Sequence, residues 1–239
     1  MKYRCVATSL EGFVQQIAVS YIRHTYWWYV AGLVPEQKNP EALDRKLIAK
    51  YGIDISDTTR WRRKQLGKAN LQYIRFGRQF VIMATQGDHL FKETERSQLR
   101  DIRKIPLRVD GYSISCRPGG RTRTGETDSR LHSHVQIEWE QYKAIKAEFI
   151  AIACRRTAKQ LAAKFYQLPF EPYAPVRRQI GTIWKEVNRL RRRKRQLLIP
   201  KEALPLRRRI VKPFEPVTGA LSSHGTWSIH SAVEKSHAS

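Results

Sequence analysis

Apolar residues in the first part of the chain follow two kinds of pattern, one typical of strands and one typical of helices. Residues 2–8 and the aromatic-rich stretch 26–34 have patterns that predict strands. Between them, Thr8 and Glu11 have the spacing of a capping box, which predicts the start of a helix. The apolar stripe of that helix consists of Leu10, Phe13, Val14, Ile17 and Tyr21.

The middle of the chain contains one more helix start and two turn sequences typical of hairpins. Asn-Pro-Glu at 39–41 places a capping residue before a proline at the first helical position, and Gly52 marks the end of this helix. Gly-Arg at 77–78 and Asp-Gly at 110–111 each separate two strand-like runs, which predicts two hairpins. Residues 131–138 predict a further strand.

The last part of the chain has helical periodicity interrupted by prolines. One long helix is predicted from Tyr142 to Leu168, and the prolines between residues 169 and 175 end it. A second helix is predicted from Val176 onward, and it ends in the basic run 191–195.

This order of elements predicts an α+β fold built on an antiparallel sheet. Helices on one face of the sheet are the economical arrangement, and a ferredoxin-like core is compatible with it. We expect an α+β sheet domain over residues 1–138 and a basic helical region over 139–200 that packs on it. A basic extended segment and a disordered tail are expected over 201–239.

The composition adds a large excess of positive charge. The 239 residues include 45 Lys and Arg against 21 Asp and Glu, which gives a formal net charge of +24. Such an excess favours a polyanionic partner, because each neutralised phosphate releases condensed counterions. A membrane surface is disfavoured as the partner, since the sequence has no lipidation motif and its basic residues are not confined to one amphipathic helix.

The cysteines disfavour a disulfide-stabilised protein, and the absence of common motifs disfavours several classes of enzyme. The three cysteines form no CxxC pair, which suits a reducing compartment and disfavours a disulfide framework. No signal peptide is visible, so we expect a cytoplasmic location. No P-loop, GxSxG, HExxH or dinucleotide-binding motif occurs, and no cofactor is expected.

Arginine and lysine are concentrated in clusters that suit phosphate binding. Guanidinium groups form bidentate bonds to phosphate, and an interleaved aromatic ring can stack on an unpaired base. The glycine-rich loop 117–130 is expected to be mobile and to order on binding. The predicted contacts are Arg60, Trp61, Arg62, Arg63, Lys64, Arg121, Arg123, Arg177, Arg178, Arg189, Arg191, Arg192, Arg193, Lys194, Arg195, Arg207, Arg208 and Arg209.

The aromatic strand offers a possible surface for base stacking. Alternation places Trp27 and Tyr29 on one face and Tyr26 and Trp28 on the other. One face is expected to pack under a helix. For the other face, core packing is favoured over a stacking platform, and Trp27 is the contact predicted under the second interpretation.

Two histidines on a predicted strand, His132 and His134, stand two residues apart and therefore share one face. Both imidazoles can reach one divalent ion there. A histidine pair followed by a tyrosine on a helix resembles the layout of HUH nucleases. That resemblance implies a metal that polarises the scissile phosphate and a tyrosine that attacks it. This chain departs from the family at the middle residue, which is Ser133 instead of a bulky apolar residue.

The tyrosine that this resemblance requires is not the nearest one in the sequence. Tyr142 lies on the apolar stripe of the following helix, so we expect it in the core. Tyr166 lies off that stripe and is the candidate nucleophile, and Tyr173 lies in a proline-rich loop. Under this alternative the protein is a metal-dependent single-strand endonuclease or transposase.

The hypothesis that the clusters favour is a nucleic-acid-binding protein that is not an enzyme. RNA or single strands are the preferred ligands, since the clusters alternate with aromatics and no helix-turn-helix or zinc module occurs. An accessory subunit of a ribonucleoprotein or of a mobile-element complex has the same features and differs in its protein partners.

Overall fold

The computed structural model describes residues 3–120, 125–126 and 128–215, and it has the predicted α+β class. The strands form two antiparallel sheets, so the prediction of one sheet is wrong, and a ferredoxin-like arrangement is not confirmed. The α-helices are α1 (Leu10–Gln15), α2 (Pro40–Lys50), α3 (Asp57–Gln65), α4 (Leu90–Thr94), α5 (Trp139–Ile152), α6 (Ala158–Tyr166) and α7 (Ala174–Arg193). The strands are β1 (Trp28–Leu33), β2 (Leu71–Phe76), β3 (Gln79–Ala84), β4 (Arg100–Asp101), β5 (Leu107–Val109), β6 (Tyr112–Pro118) and β7 (Leu131–Ile137).

Apolar cores cover both faces of the four-stranded sheet, whose order is β2-β3-β1-β4. Because side chains alternate along a strand, Val81 and Met83 enter the larger core cluster, whereas Ile82 enters the smaller one. The larger core cluster contains buried residues from positions 7–204, and the smaller core cluster contains buried residues from positions 30–91. Helices contribute to both clusters, so the expectation of helices on one face is wrong for this sheet.

The second sheet has the order β5-β6-β7 and carries the histidine pair on its last strand. Its first hairpin turns at residues 110–111, where φ is 40° and 79°, the left-handed values that a two-residue type I′ turn requires. In the register of β6 and β7, His132 lies opposite Arg117 and His134 lies opposite Ser115. The predicted hairpin and strand are therefore confirmed.

The N-terminal segment departs from its prediction. Residues 3–8 form no strand, and only Val6 makes an isolated bridge, to Arg75 of β2. The cap of α1 is Ser9, whose hydroxyl accepts a backbone N–H of the first turn, and not the predicted Thr8. The Thr8 hydroxyl donates instead to the carbonyl of Glu215, a long-range contact that local spacing does not reveal.

The helical structure that begins with α1 continues as a π-helix over Gln16–Tyr21 and a 3-10 turn over Ile22–His24. It ends at Thr25 in a left-handed conformation, with φ of 67°. A β-branched side chain is strained there, whereas glycine is not. We expect Thr25→Gly to raise the free energy of unfolding by about 1 kcal/mol in urea denaturation. Thr58→Gly, in the first turn of α3, is the matched control and should give no gain. Equal effects of the two substitutions would contradict the assignment of strain to Thr25.

The single helix predicted from residue 142 to residue 168 is in fact two helices, α5 and α6. Thr157 and Gln160 form a complete capping box at the start of α6, with bonds of 3.2 and 3.0 Å between side chain and backbone. This cap satisfies N–H groups that would otherwise lack partners, and it outweighs the continuing apolar periodicity. The break lets α6 fold back on α5, with the rings of Phe149 and Phe165 4.2 Å apart at their centroids.

A buried ion pair joins α2 to β2. The Nε and Nη2 atoms of Arg75 each donate to the Asp44 carboxylate at 2.8 Å, and both side chains are buried. The Tyr73 hydroxyl donates to the same carboxylate, and burial followed by that carboxylate raises the pKa of Tyr73. The pair thus satisfies a charge that the core could not hold alone.

Residues 201–215 fold back onto the N-terminal helix and form a segment that we call the C-terminal strap. The N–H of Thr8 donates to the carbonyl of Pro213 at 2.9 Å, and Nε2 of Gln15 donates to the carbonyl of Val211 at 2.6 Å. The larger core cluster contains residues of the sheet region, of the helical region and of this strap. The expected tail after residue 216 lies outside the described residues.

Candidate nucleic-acid interface

Helix α7 has an apolar face and a basic face on opposite sides. Successive helical residues turn by about 100°, so residues three, four and seven apart share a side. One side is fully buried and consists of Val176, Ile180, Ile183 and Val187. The opposite side carries four exposed cations that we call the basic stripe: Arg178, Lys185, Arg189 and Arg192. About 21 Å of helix axis separates its two ends.

The N-terminal end of the basic stripe meets the histidine strand β7. Gln179 of α7 accepts the N–H of Ile137 at 2.8 Å and donates to its carbonyl at 3.0 Å. Burial lowers the pKa of His134, and the positive charges of Arg117 and Arg178 lower it further. Two arginines from different elements therefore lie near one imidazole, and the basic stripe continues onto the sheet.

The two histidines share a sheet face, but among the described residues no third metal ligand joins them. Nε2 of His132 lies 2.8 Å from Oδ2 of Asp128, and Nδ1 of His134 is buried with no hydrogen-bond partner among the described residues. Those same residues contain no group of three His, Cys, Asp or Glu side chains that could hold a metal ion. The described residues therefore do not fit the metal centre that the resemblance to HUH nucleases implies.

The candidate tyrosines lie in three different environments. Tyr142 is buried in the larger core cluster, as predicted. Tyr173 packs against the guanidinium of Arg208, 4.7 Å from its ring centroid, and burial raises its pKa to about 12. Tyr166 is 68% exposed at the end of α6, and in the part of the chain that the structure describes its hydroxyl makes no hydrogen bond. A base that could activate Tyr166 is thus not part of the described geometry.

The arginine run 191–195 divides into a structural part and an exposed part. Arg191 is only 3% exposed. Its guanidinium donates to the carbonyls of Ala153, Arg156 and Leu197 at 2.6, 2.8 and 2.7 Å, so it is engaged inside the fold and is not presented to a ligand. The side chains of the run that remain exposed are Arg192, Arg193, Lys194 and Arg195.

The basic cluster on α3 divides in the same way. Arg60 donates to the carbonyls of Ile53 and Leu71 at 2.8 Å each, and Arg63 donates to the carbonyl of Gly52 at 3.4 Å. These bonds anchor α3 beside the smaller core cluster, whereas α7 packs into the larger one. The exposed side chains of this cluster are Trp61, Arg62 and Lys64.

Trp27 is half-buried, and one face of its ring is already occupied. The guanidinium of Arg103 lies 4.4 Å from the ring centroid and is itself held by Asp101 at 2.7 Å. In the strand that follows, Tyr29 and Val30 are buried in different core clusters. Strand β1 is therefore a core element, in agreement with the favoured interpretation of the aromatic run.

The remaining predicted contacts in the described ranges lie on two segments, α7 and the C-terminal strap. Arg177 is exposed on α7 beside the basic stripe, and Arg207 and Arg209 are exposed on the C-terminal strap. Arg208 is partly buried against an aromatic ring. Two predicted contacts lie outside the described residues, and these are Arg121 and Arg123.

Sequence reasoning missed two members of the interface, Arg117 and Lys185. Lys185 follows Arg178 by seven residues, which is two helical turns, and this spacing could have revealed it. Arg117 joins the interface because it lies opposite His132 in the strand register, which a single sequence does not specify.

No protein-family model, curated protein or solved structure matches this chain. Across the described ranges, none of the helices has the length and apolar character needed to cross a bilayer.

Proposed function

We propose that this protein binds nucleic acid along the basic stripe of α7 and the adjoining face of β6 and β7, with RNA or single strands as the favoured ligands. The observation that supports this proposal is the alignment of four exposed cations on one side of a helix whose other side is buried. The buried side fixes the orientation of the helix, so the cations face solvent together. A polyanion can contact them in succession and release its counterions.

The charge balance of α7 distinguishes this surface from an ordinary solvated helix. Glu186 is the one acidic residue of the helix, and it bonds Arg189 at 2.8 Å and Lys146 at 3.6 Å. The other members of the basic stripe, which are Arg178, Lys185 and Arg192, therefore form no ion pair with an acidic residue of α7. An ordinary exposed helix carries charges of both signs, which neutralise one another locally.

The salt dependence of binding tests this proposal. A variant with Arg178, Lys185, Arg189 and Arg192 changed to glutamine should bind mixed-sequence RNA more weakly. The slope of log K against log salt should become shallower by up to about 3, since each phosphate contact with a single strand contributes about 0.7. Fluorescence anisotropy over a salt series measures both quantities.

The matched control removes the same number of charges elsewhere. Lys38, Arg45, Lys46 and Arg96 are exposed cations outside α7, and changing them to glutamine should leave the slope nearly unaltered. Equal slopes for the two variants would show that binding follows net charge and not the basic stripe. Absence of binding by the unmodified protein at low salt would refute the proposed function itself.

The expectations about the complex, the cellular location and the tyrosine-nuclease alternative stay predictions. Membership of a ribonucleoprotein or mobile-element complex is tested by co-purification from cells followed by sequencing of the bound nucleic acid, and a cytoplasmic location is tested by cell fractionation. The tyrosine-nuclease alternative is tested by searching for a covalent adduct with single-stranded DNA and Mn²⁺, using Tyr166→Phe as the control. In favour of this alternative, strand alternation places both histidines on one face. Against it, the described residues supply no third metal ligand beside them.

A further inference from the structure

A groove of about 320 Å³ lies beside the C-terminal half of α7. Its charged lining consists of Lys185, Arg189, Arg192 and Lys201. Its apolar lining consists of Trp184, Leu198, Ile199 and Pro200. The described residues that line it include no carboxylate. Arg189 is ion-paired with Glu186 at 2.8 Å beside the groove, and the groove still combines apolar surface with a net positive charge.

Fixed bonds between α7 and segment 197–201 shape this groove. The Asn188 side chain accepts the N–H of Ile199 at 2.9 Å and donates to its carbonyl at 2.9 Å. Nε1 of Trp184 donates to the same carbonyl at 3.0 Å. Because these bonds are internal to the fold, the groove exists before any ligand arrives and needs little ordering on binding.

We propose that this groove binds one unpaired nucleotide of a single strand, with the base against the apolar lining and the flanking phosphates on the cations. The groove is large enough for a small-molecule ligand, and its two kinds of lining match the two parts of a nucleotide. This inference rests on the proposed function and specifies the form of nucleic acid that the same surface selects.

The choice of a single strand over a duplex follows from where the bases lie. In a duplex the bases are stacked inside the helix, and extruding one costs a few kcal/mol. A single strand offers its bases without that cost, and stacking or apolar contact of one base is worth about 1–3 kcal/mol. A duplex can still place phosphates on the basic stripe, but it cannot fill the groove.

An abasic oligonucleotide separates phosphate binding from base binding. The full-length protein is titrated with an oligothymidine of about 12 residues and with an abasic oligomer of the same length, which keeps every phosphate. We expect the oligothymidine to bind at least about fivefold more tightly than the abasic oligomer. It should also bind more tightly than the corresponding blunt duplex at the same salt concentration.

Two leucine variants locate the effect in the groove. Leu198→Ser removes apolar lining without changing charge, and it should abolish most of the preference for bases while leaving affinity for the abasic oligomer unchanged. Because an unfolded chain of this net charge would also bind phosphates, urea denaturation checks that both leucine variants are folded. Leu33→Ser, at an exposed leucine of β1, is the matched control and should keep the preference.

The possible results separate the inference from the proposed function. Equal affinity for the oligothymidine and the abasic oligomer would overturn the groove assignment and leave nucleic-acid binding intact. A preference for bases that survives Leu198→Ser would also overturn it, since the bases would then be bound elsewhere. If neither oligomer binds at low salt, the proposed function fails and the groove assignment fails with it.

Discussion

Replacing Arg191 with alanine is expected to lower the free energy of unfolding by about 4 kcal/mol. The Arg191 guanidinium donates to three backbone carbonyls, two of which, those of Ala153 and Arg156, belong to the turn that follows α5. Removing it leaves those carbonyls without their donors inside the protein. Each lost bond to a charged donor is worth about 1.5–3 kcal/mol, and the effects of neighbouring bonds are not fully additive.

The neighbouring residue provides the control. Arg192 is exposed on the basic stripe, so Arg192→Ala should change the free energy of unfolding by no more than about 0.5 kcal/mol. Arg192→Ala should also weaken RNA binding. Arg191→Ala should leave RNA binding unchanged at temperatures where that variant is folded. Urea denaturation and anisotropy on both variants test this division. Similar stability losses at the two positions would contradict a structural role confined to Arg191.

The second large effect is expected at the buried ion pair of α2 and β2. Asp44→Ala should cost about 3–5 kcal/mol, because it leaves the Arg75 guanidinium buried without its carboxylate and removes the acceptor of the Tyr73 hydroxyl. Denaturation in urea measures the loss. Asp54→Ala, at an exposed aspartate between α2 and α3, should change stability by at most about 0.5 kcal/mol.

A double variant tests the physical reason for this loss. If the cost arises from an unpaired charge, Asp44→Leu combined with Arg75→Leu should recover a large part of the stability lost in Asp44→Leu alone. If the stability losses of the two single substitutions instead add in the double variant, the loss comes from packing and not from the uncompensated guanidinium.

Elements governed by local chemistry could be predicted from the sequence. The turn at residues 110–111 follows from the left-handed preferences of Asp-Gly, and the start of α2 follows from the Asn39 side chain, which accepts the N–H of Glu41 at 2.8 Å. The burial of Tyr142 follows from its place on a helical stripe. In each case the deciding partners lie within a few residues of one another.

Features that depend on distant partners could not be predicted. The partners of Arg191 at Ala153 and Arg156 are 38 and 35 residues away, so a sequence shows only one more cation in a basic run. The same limit applies to the interface. A shared face for the histidine pair follows from alternation, but the approach of Arg178 to His134 requires the docking of α7 along β7.

The C-terminal strap has a consequence for the order in which the chain completes its structure. The contact of the Thr8 hydroxyl with the carbonyl of Pro213 spans 205 residues, and Gly12 packs so closely on Pro213 that a Cβ atom there would lie 2.9 Å from its Cα. During synthesis, α1 is translated before the strap that covers it, so this surface of α1 stays uncovered in the meantime. The docking of the strap on α1 is therefore expected only after the strap is translated, and it closes a contact of large sequence separation.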